Sequence, residues 1–120
     1  MDWDTEEDEN AERRRVKHSE VRARARDIDR QNSLLYVLSE PSGRKAMWDW
    51  LSHCGVLGAS FDRDPGKMAF YEGRRDVGLW MLAQLESEHS GAYALMQSEN
   101  HERELRYAAI PEPELDDDDE

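Results

Sequence analysis

The sequence predicts a small all-α protein, a bundle of about three to four helices with disordered acidic tails at both ends. Three observations predict it. Apolar residues recur at helical spacing, and no segment alternates as a strand does. Proline and glycine fall at intervals that start and stop helices. Acidic residues crowd into the two ends, which leaves one central stretch able to fold.

The chain has 120 residues, 38% of them hydrophobic and 37% charged, which bounds it to one domain. Residues 1–12 hold seven acids and no base, and residues 112–120 hold seven more and no base. The rest of the chain is slightly basic, so the net charge of −12 belongs to the ends. The division that follows is an acidic tail (1–12), a basic charged helix (13–33), a helical domain (34–109) and a second acidic tail (110–120). A lone cysteine, Cys54, excludes an internal disulfide framework. No apolar run approaches the roughly 18 residues of a membrane span, and the acidic start does not suit a signal peptide. Both points lead us to expect a protein kept in a cytoplasm.

Residues 13–38 read as the first helix. Its basic part, 13–30, carries eight bases and three acids. Val21, Ala25, Ile28, Asn32 and Leu35 recur at heptad spacing over two heptads, which leaves pairing with a second copy, and the oligomeric state, open. Pro41 ends this helix and suits the first turn of the next, with Ser39 or Glu40 as cap. The second helix runs to about Cys54, with Met47, Trp50, Leu51 and Cys54 on one face and Trp48 on another; Gly55 caps its end. Residues 55–66 form a loop pinned by Val56, Leu57 and Phe61. Asp64-Pro65 is a cap followed by a first-turn proline, and a third helix spans about 65–88, its apolar side read as Phe70, Val77, Trp80, Met81 and Leu85. Ser90 is the expected cap of a fourth helix, about 91–108, with Tyr93, Leu95 and Met96 inward. Pro111 and Pro113 stop it.

The most informative run is Phe70–Trp80. It contains Gly73 and Gly78 inside a helix, where each costs about 1 kcal/mol against alanine, and the pair Arg74-Arg75. The glycines fit close packing against a neighbouring helix, with Trp80 in the core. The arginines either pair with Glu72, Asp76 or Asp49, or face a partner. A phosphate cradle needs its glycines at a helix start after a strand, so a nucleotide site is excluded. Aromatic residues beside arginine are typical interface anchors, which makes Arg74, Arg75, Trp48 and Tyr71 the candidate partner-binding residues. Arg13, Arg14, Arg15, Lys17, Arg22, Arg24 and Arg26 are candidates for gripping nucleic acid or a partner, although no aromatic residue is interleaved for stacking.

No reaction centre is legible. His18, His53, His89 and His101 make no zinc-protease spacing. Cys54 has no evident base and reads as a small buried apolar residue. The acidic run 116–120 lacks the fixed spacing of a calcium loop. We therefore expect no catalytic residues, no metal and no cofactor, and a protein that is not an enzyme.

One resemblance adds context. Gly43–Trp48, Leu51, Cys54–Val56, Ser60-Phe61, Glu72–Leu82, Tyr93–Met96 and Glu99, in that order, resemble a small uncharacterised family of tailed-bacteriophage proteins, a Bordetella-phage-type domain, over about residues 34–99. Glu72–Leu82 is the most specific block, and the charged ends and basic helix lie outside the resemblance. The family's genes sit among those for the head and portal, and no activity is attached to it. The resemblance implies a non-catalytic structural or assembly protein that binds a head, portal or other virion component, in the host cytoplasm during assembly or in the virion. Two further readings stay open: a nucleic-acid-binding accessory factor using residues 13–30, and an acidic decoy of a host DNA-binding protein.

Overall fold

A computed structural model describes residues 3–116, with side chains from Thr5 onward. It contains four helices and, among the described residues, no strand: α1 (Trp3–Ser39), α2 (Pro41–His53), α3 (Pro65–Glu88) and α4 (Ala92–Ala108). Residues 111–116 have no regular structure, and the rest of the acidic C-terminal run, 117–120, lies outside the described residues.

α1 begins earlier than charge alone suggests. Residues 3–12, read as an unstructured tail, form its first turns; Met1 and Asp2 lie outside the described residues. Acids at a helix N-terminus interact favourably with the exposed N–H groups there. The last of them stand one turn before arginines, as Glu12 does for Arg15 at 3.0 Å. The same device recurs at Asp27 and Arg30, 3.4 Å apart. A helix of 37 residues is about 55 Å long. Only its last turns, through Leu34 and Leu38, pack on the rest of the chain. The remainder is an arm, which gives the molecule extents of 96 × 39 × 29 Å.

The head is built from the end of α1 and the other three helices. Leu38, Trp48, Leu51, Cys54, Val56, Leu85, Ala92 and Met96 form its core, with Met47, Met81, Leu82 and Tyr93 packed around them. Trp48 stacks on Tyr93 with ring centroids 5.8 Å apart. The α1–α2 corner is tight. A Cβ at Gly43 would collide with the Val37 carbonyl oxygen. Next to it, Arg44 forks onto Glu99 of α4, Nε donating to Oε1 at 2.6 Å and Nη2 to Oε2 at 3.1 Å. Its Nη1 donates to the Leu38 carbonyl at 2.7 Å, which satisfies a carbonyl that the end of α1 leaves unpaired.

The other helix ends follow local chemistry. Gly55, at φ 79°, turns the chain out of α2. Asp64 Oδ1 accepts from the Gly66 and Lys67 amides at 2.8 and 3.4 Å and starts α3. The start of α4 differs from expectation. The N-cap is Gly91 at φ 88°, not Ser90. The Glu86 carboxylate reaches across from α3 and accepts from the Gly91 amide at 3.0 Å and the Tyr93 amide at 2.6 Å. A carboxylate from a packed neighbour thus replaces the serine hydroxyl.

The roll of α3 also differs. Its buried side is Gly78 and Leu85, with Met81 and Leu82 beside them. Phe70, Val77 and Trp80 are 65%, 52% and 51% exposed, so Trp80 is outside the core. Gly78 sets this roll. A Cβ there would lie 2.5 Å from Val56 Cγ2 and 2.7 Å from Cys54 Cβ, so α3 must turn this residue to the end of α2. At 100° per residue, Phe70, Val77 and Trp80 then point about 80–160° away. Trp50, Leu57, Phe61 and Leu95 are also exposed rather than inward; Val56 alone of the three expected residues pins the loop.

Replacing Gly78 with Ala forces Val56 and Cys54 apart and lowers stability by about 1–3 kcal/mol. Gly73 has open space around its Cβ position, so Gly73→Ala raises the stability of the single molecule by up to about 1 kcal/mol. Thermal unfolding followed by circular dichroism separates the two signs. Glu99→Gln lowers stability by about 1–3 kcal/mol through the weakened fork. The hydrogen bond that Arg44 donates to Glu99 raises the Arg44 pKa above its ordinary value. Arg44's contribution is therefore complete below that ordinary value and is lost only as pH rises through the folded one. Denaturant midpoints measured from neutral to moderately alkaline pH should show no loss from this residue.

Candidate functional site

Three of the four candidate partner-binding residues meet in one cleft. The glycine turn at Gly55 sends the loop back across the first half of α3. Gly55, Ala59, Ser60 and Phe61 on the loop face Tyr71, Arg74 and Arg75 on the helix across a cleft of about 340 Å³. Helical spacing places Tyr71, Arg74 and Arg75 on one side of α3, one turn before Gly78, so the contact that fixes Gly78 also holds them against the loop.

The guanidinium of Arg74 lies over the Tyr71 ring, 5.2 Å from its centroid, and 5.8 Å from that of Phe70. The two rings meet edge-on at 5.7 Å. These contacts hold the guanidinium plane without consuming its hydrogen bonds. The Nε atoms of Arg74 and Arg75 are buried and have no hydrogen-bond partner. Among the described residues, neither arginine makes an ion pair with Glu72, Asp76 or Asp49, and Asp49 pairs instead with Lys45 at 2.6 Å. That bond raises the Lys45 pKa. Buried donors without acceptors are uncommon in native proteins. A guanidinium held on aromatic rings, with a second arginine lining the same cleft, suits a carboxylate or a phosphate oxygen.

Trp48 does not join them. It is only 6% exposed and belongs to the core against Tyr93. Its apolar helix face made it an equally good core residue, and packing decides for the core. The loop contributors, Ser60 and Phe61, went unread as site residues, since sequence gives no distance between a loop and a helix more than ten positions away. Their one visible signal was the glycine turn at Gly55.

The basic residues of the arm are exposed. At 100° per residue, Arg13, Arg14, Arg15, Lys17, Arg22, Arg24 and Arg26 spread around the helix instead of forming one stripe. Arg15 is paired with Glu12. A further unpartnered nitrogen, Nη2 of Arg103, lies in a cleft of mixed charge with Lys45, Glu99, Glu102 and Arg106. Among the described residues, no group of three or more His, Cys, Asp or Glu side chains could hold a metal ion, and no helix is long and apolar enough to cross a membrane.

The structure brings together residues that are far apart in the sequence pattern. Gly43 and Arg44 meet Glu99, Trp48 meets Tyr93, and Cys54 and Val56 meet Gly78. No curated protein and no solved structure matches the chain significantly. A family model described as Bbp19-like phage protein matches residues 35–98, more than half of the chain and nearly the whole head. The chain therefore belongs to the Bbp19-like phage protein family.

Proposed function

We propose that this phage protein is a non-catalytic interaction protein of the virion or its assembly. The head docks a protein partner, a head or portal component, by receiving one of its carboxylates between Arg74 and Arg75. The observation that carries this reading is the pair of buried Nε donors without acceptors, that of Arg74 on a guanidinium held beside Tyr71 and Phe70. A partner carboxylate supplies the missing acceptors, and Phe61 and Tyr71 supply apolar area around it. The partners act while the particle is built in the host cytoplasm.

The exposed bases of the arm support a second reading, a nucleic-acid accessory factor. Their spread around the helix and the acids on the same arm count against it. Binding to duplex DNA at two salt concentrations separates the readings, because phosphate contacts weaken steeply with salt. A salt-steep affinity would favour the second reading.

The direct test is mass spectrometry of purified particles and assembly intermediates from phage carrying the wild-type or variant chain. The wild-type chain should be present at a fixed copy number. Arg74→Ala with Arg75→Ala should leave the helical content unchanged and weaken incorporation at least about tenfold, the loss expected for one charge-assisted hydrogen bond. Arg→Lys at both positions keeps charge but loses the fork, and should fall between the two. Normal incorporation of the double alanine variant, or its unfolding, would overturn the site.

A further inference from the structure

The arginine cleft has a source of carboxylates on its own chain. Residues 112–120 hold seven acids and no base. Four of them, Asp117, Asp118, Asp119 and Glu120, follow directly on the described residues. No acid is among the residues that line the cleft. Those nearest to it in sequence are engaged elsewhere or face water: Asp64 caps α3, Asp62 Oδ1 accepts from the Asp64 amide at 2.8 Å, and Glu72 and Asp76 are exposed.

The course of α4 brings that run within reach. α4 lies antiparallel to α2: Tyr93 meets Trp48, Glu99 meets Arg44, and Arg106 shares a cleft with Pro41 and Ser42. The chain therefore leaves α4 beside the start of α2, whereas the arginine cleft opens past its other end, at Gly55. α2 has 13 residues and is about 20 Å long. Residues 111–116 are exposed and irregular, and Pro111 and Pro113 favour an extended path. At about 3.1 Å per residue, residues 111–120 span about 31 Å, so the acids at 117–120 pass the end of α2. The other acidic block cannot do this. α1 is unbroken, and Glu12 stands about 33 Å along it before Leu34, which packs on the head.

Other cations on the chain are poorer partners. The bases of the arm are exposed and stand among Glu20, Asp27 and Asp29, and Arg103 and Arg106 share their cleft with Glu99 and Glu102. Arg74 and Arg75 offer buried Nε donors without acceptors, in a cleft that no acid lines. We propose, on the reading that this cleft takes a carboxylate, that the acidic run 117–120 of the same chain occupies it, and that a partner docks by displacing the run. A tethered ligand acts at an effective concentration of millimolar order, so the run shields the cleft from weak acidic ligands.

The test is proton–nitrogen correlation NMR of the full chain, following the Nε–H signals of Arg74 and Arg75 and the amides of Ser60 and Phe61. The wild-type chain is compared with one carrying Asp117→Asn, Asp118→Asn, Asp119→Asn and Glu120→Gln, and each is titrated with a synthetic peptide of residues 112–120. Neutralising the run should shift the cleft signals and leave helical content unchanged. The peptide should then bind the neutralised chain at least about tenfold more tightly than the wild-type chain, whose own run competes for the site. Equal affinities with unmoved cleft signals overturn the proposal but leave the carboxylate reading standing, since the peptide still binds at the arginines. No binding to the neutralised chain overturns both. Peptide binding that survives Arg74→Ala with Arg75→Ala in the neutralised chain would place the run on other bases, such as those of the arm, and overturns the proposal. Cleft signals of the wild-type chain that move with protein concentration would mean that another copy supplies the acids, which overturns it as well.

Discussion

The head depends on one arginine. Arg44 ties three helices at a single point: it sits on α2, forks onto Glu99 of α4, and closes the end of α1 through the Leu38 carbonyl. Both side chains of the ion pair are largely shielded from water, which strengthens the pair and raises the cost of leaving either charge alone. Geometry limits where such a joint can sit. The guanidinium reaches Leu38 because α1 and α2 meet at a sharp corner, and that corner exists because Gly43 has no side chain to meet Val37. A core of eight buried hydrophobic residues could not by itself define the angles between four helices so closely.

Where the chain's own local chemistry decides an outcome, the sequence was legible. Pro41 and Asp64-Pro65 start helices where they should, and Gly55 ends one, because caps and prolines act within a few residues. Legibility failed where a distant contact decided. The roll of α3 could not be taken from its apolar residues, because Phe70, Val77 and Trp80 are more hydrophobic than the glycine that faces the core. Gly78 wins because only a residue without a side chain fits against Cys54 and Val56, and the rest of the helix turns with it. Ser90 lost the capping role for a similar reason: Glu86 offers a charged acceptor to two amides at once. The acidic start of α1 was misjudged by treating like charges as a block. They sit at a helix start, where exposed N–H groups favour them, and the last of them meets an arginine one turn on, as in Glu12 and Arg15.

The arginine cleft repeats this division. The adjacency of Arg74 and Arg75 and the neighbouring Tyr71 could be seen in the sequence, since they lie within one helical turn. The opposing wall could not, because Ser60 and Phe61 arrive through a loop whose path is set by the Gly55 turn. Gly73 and Gly78 show how two identical residues five positions apart differ in cause. One is required by a neighbour within the fold, and the other has no neighbour at all.

That contrast leads to a general property of the molecule. Natural helices rarely keep a glycine in an exposed interior position without some gain, since alanine would be more stable by up to about 1 kcal/mol. Here the exposed glycine lies in a row with Phe70, Val77 and Trp80, three apolar side chains that the head leaves in water. Burying them inward was not open to the fold, because Gly78 already claims the inward side. Their exposure is thus a consequence of how α3 packs, and its cost in isolation is offset only when another surface covers them. The same holds for the arm, where Val21 and Ile28 are left exposed. In both places the small core decides which apolar side chains are buried and which face water.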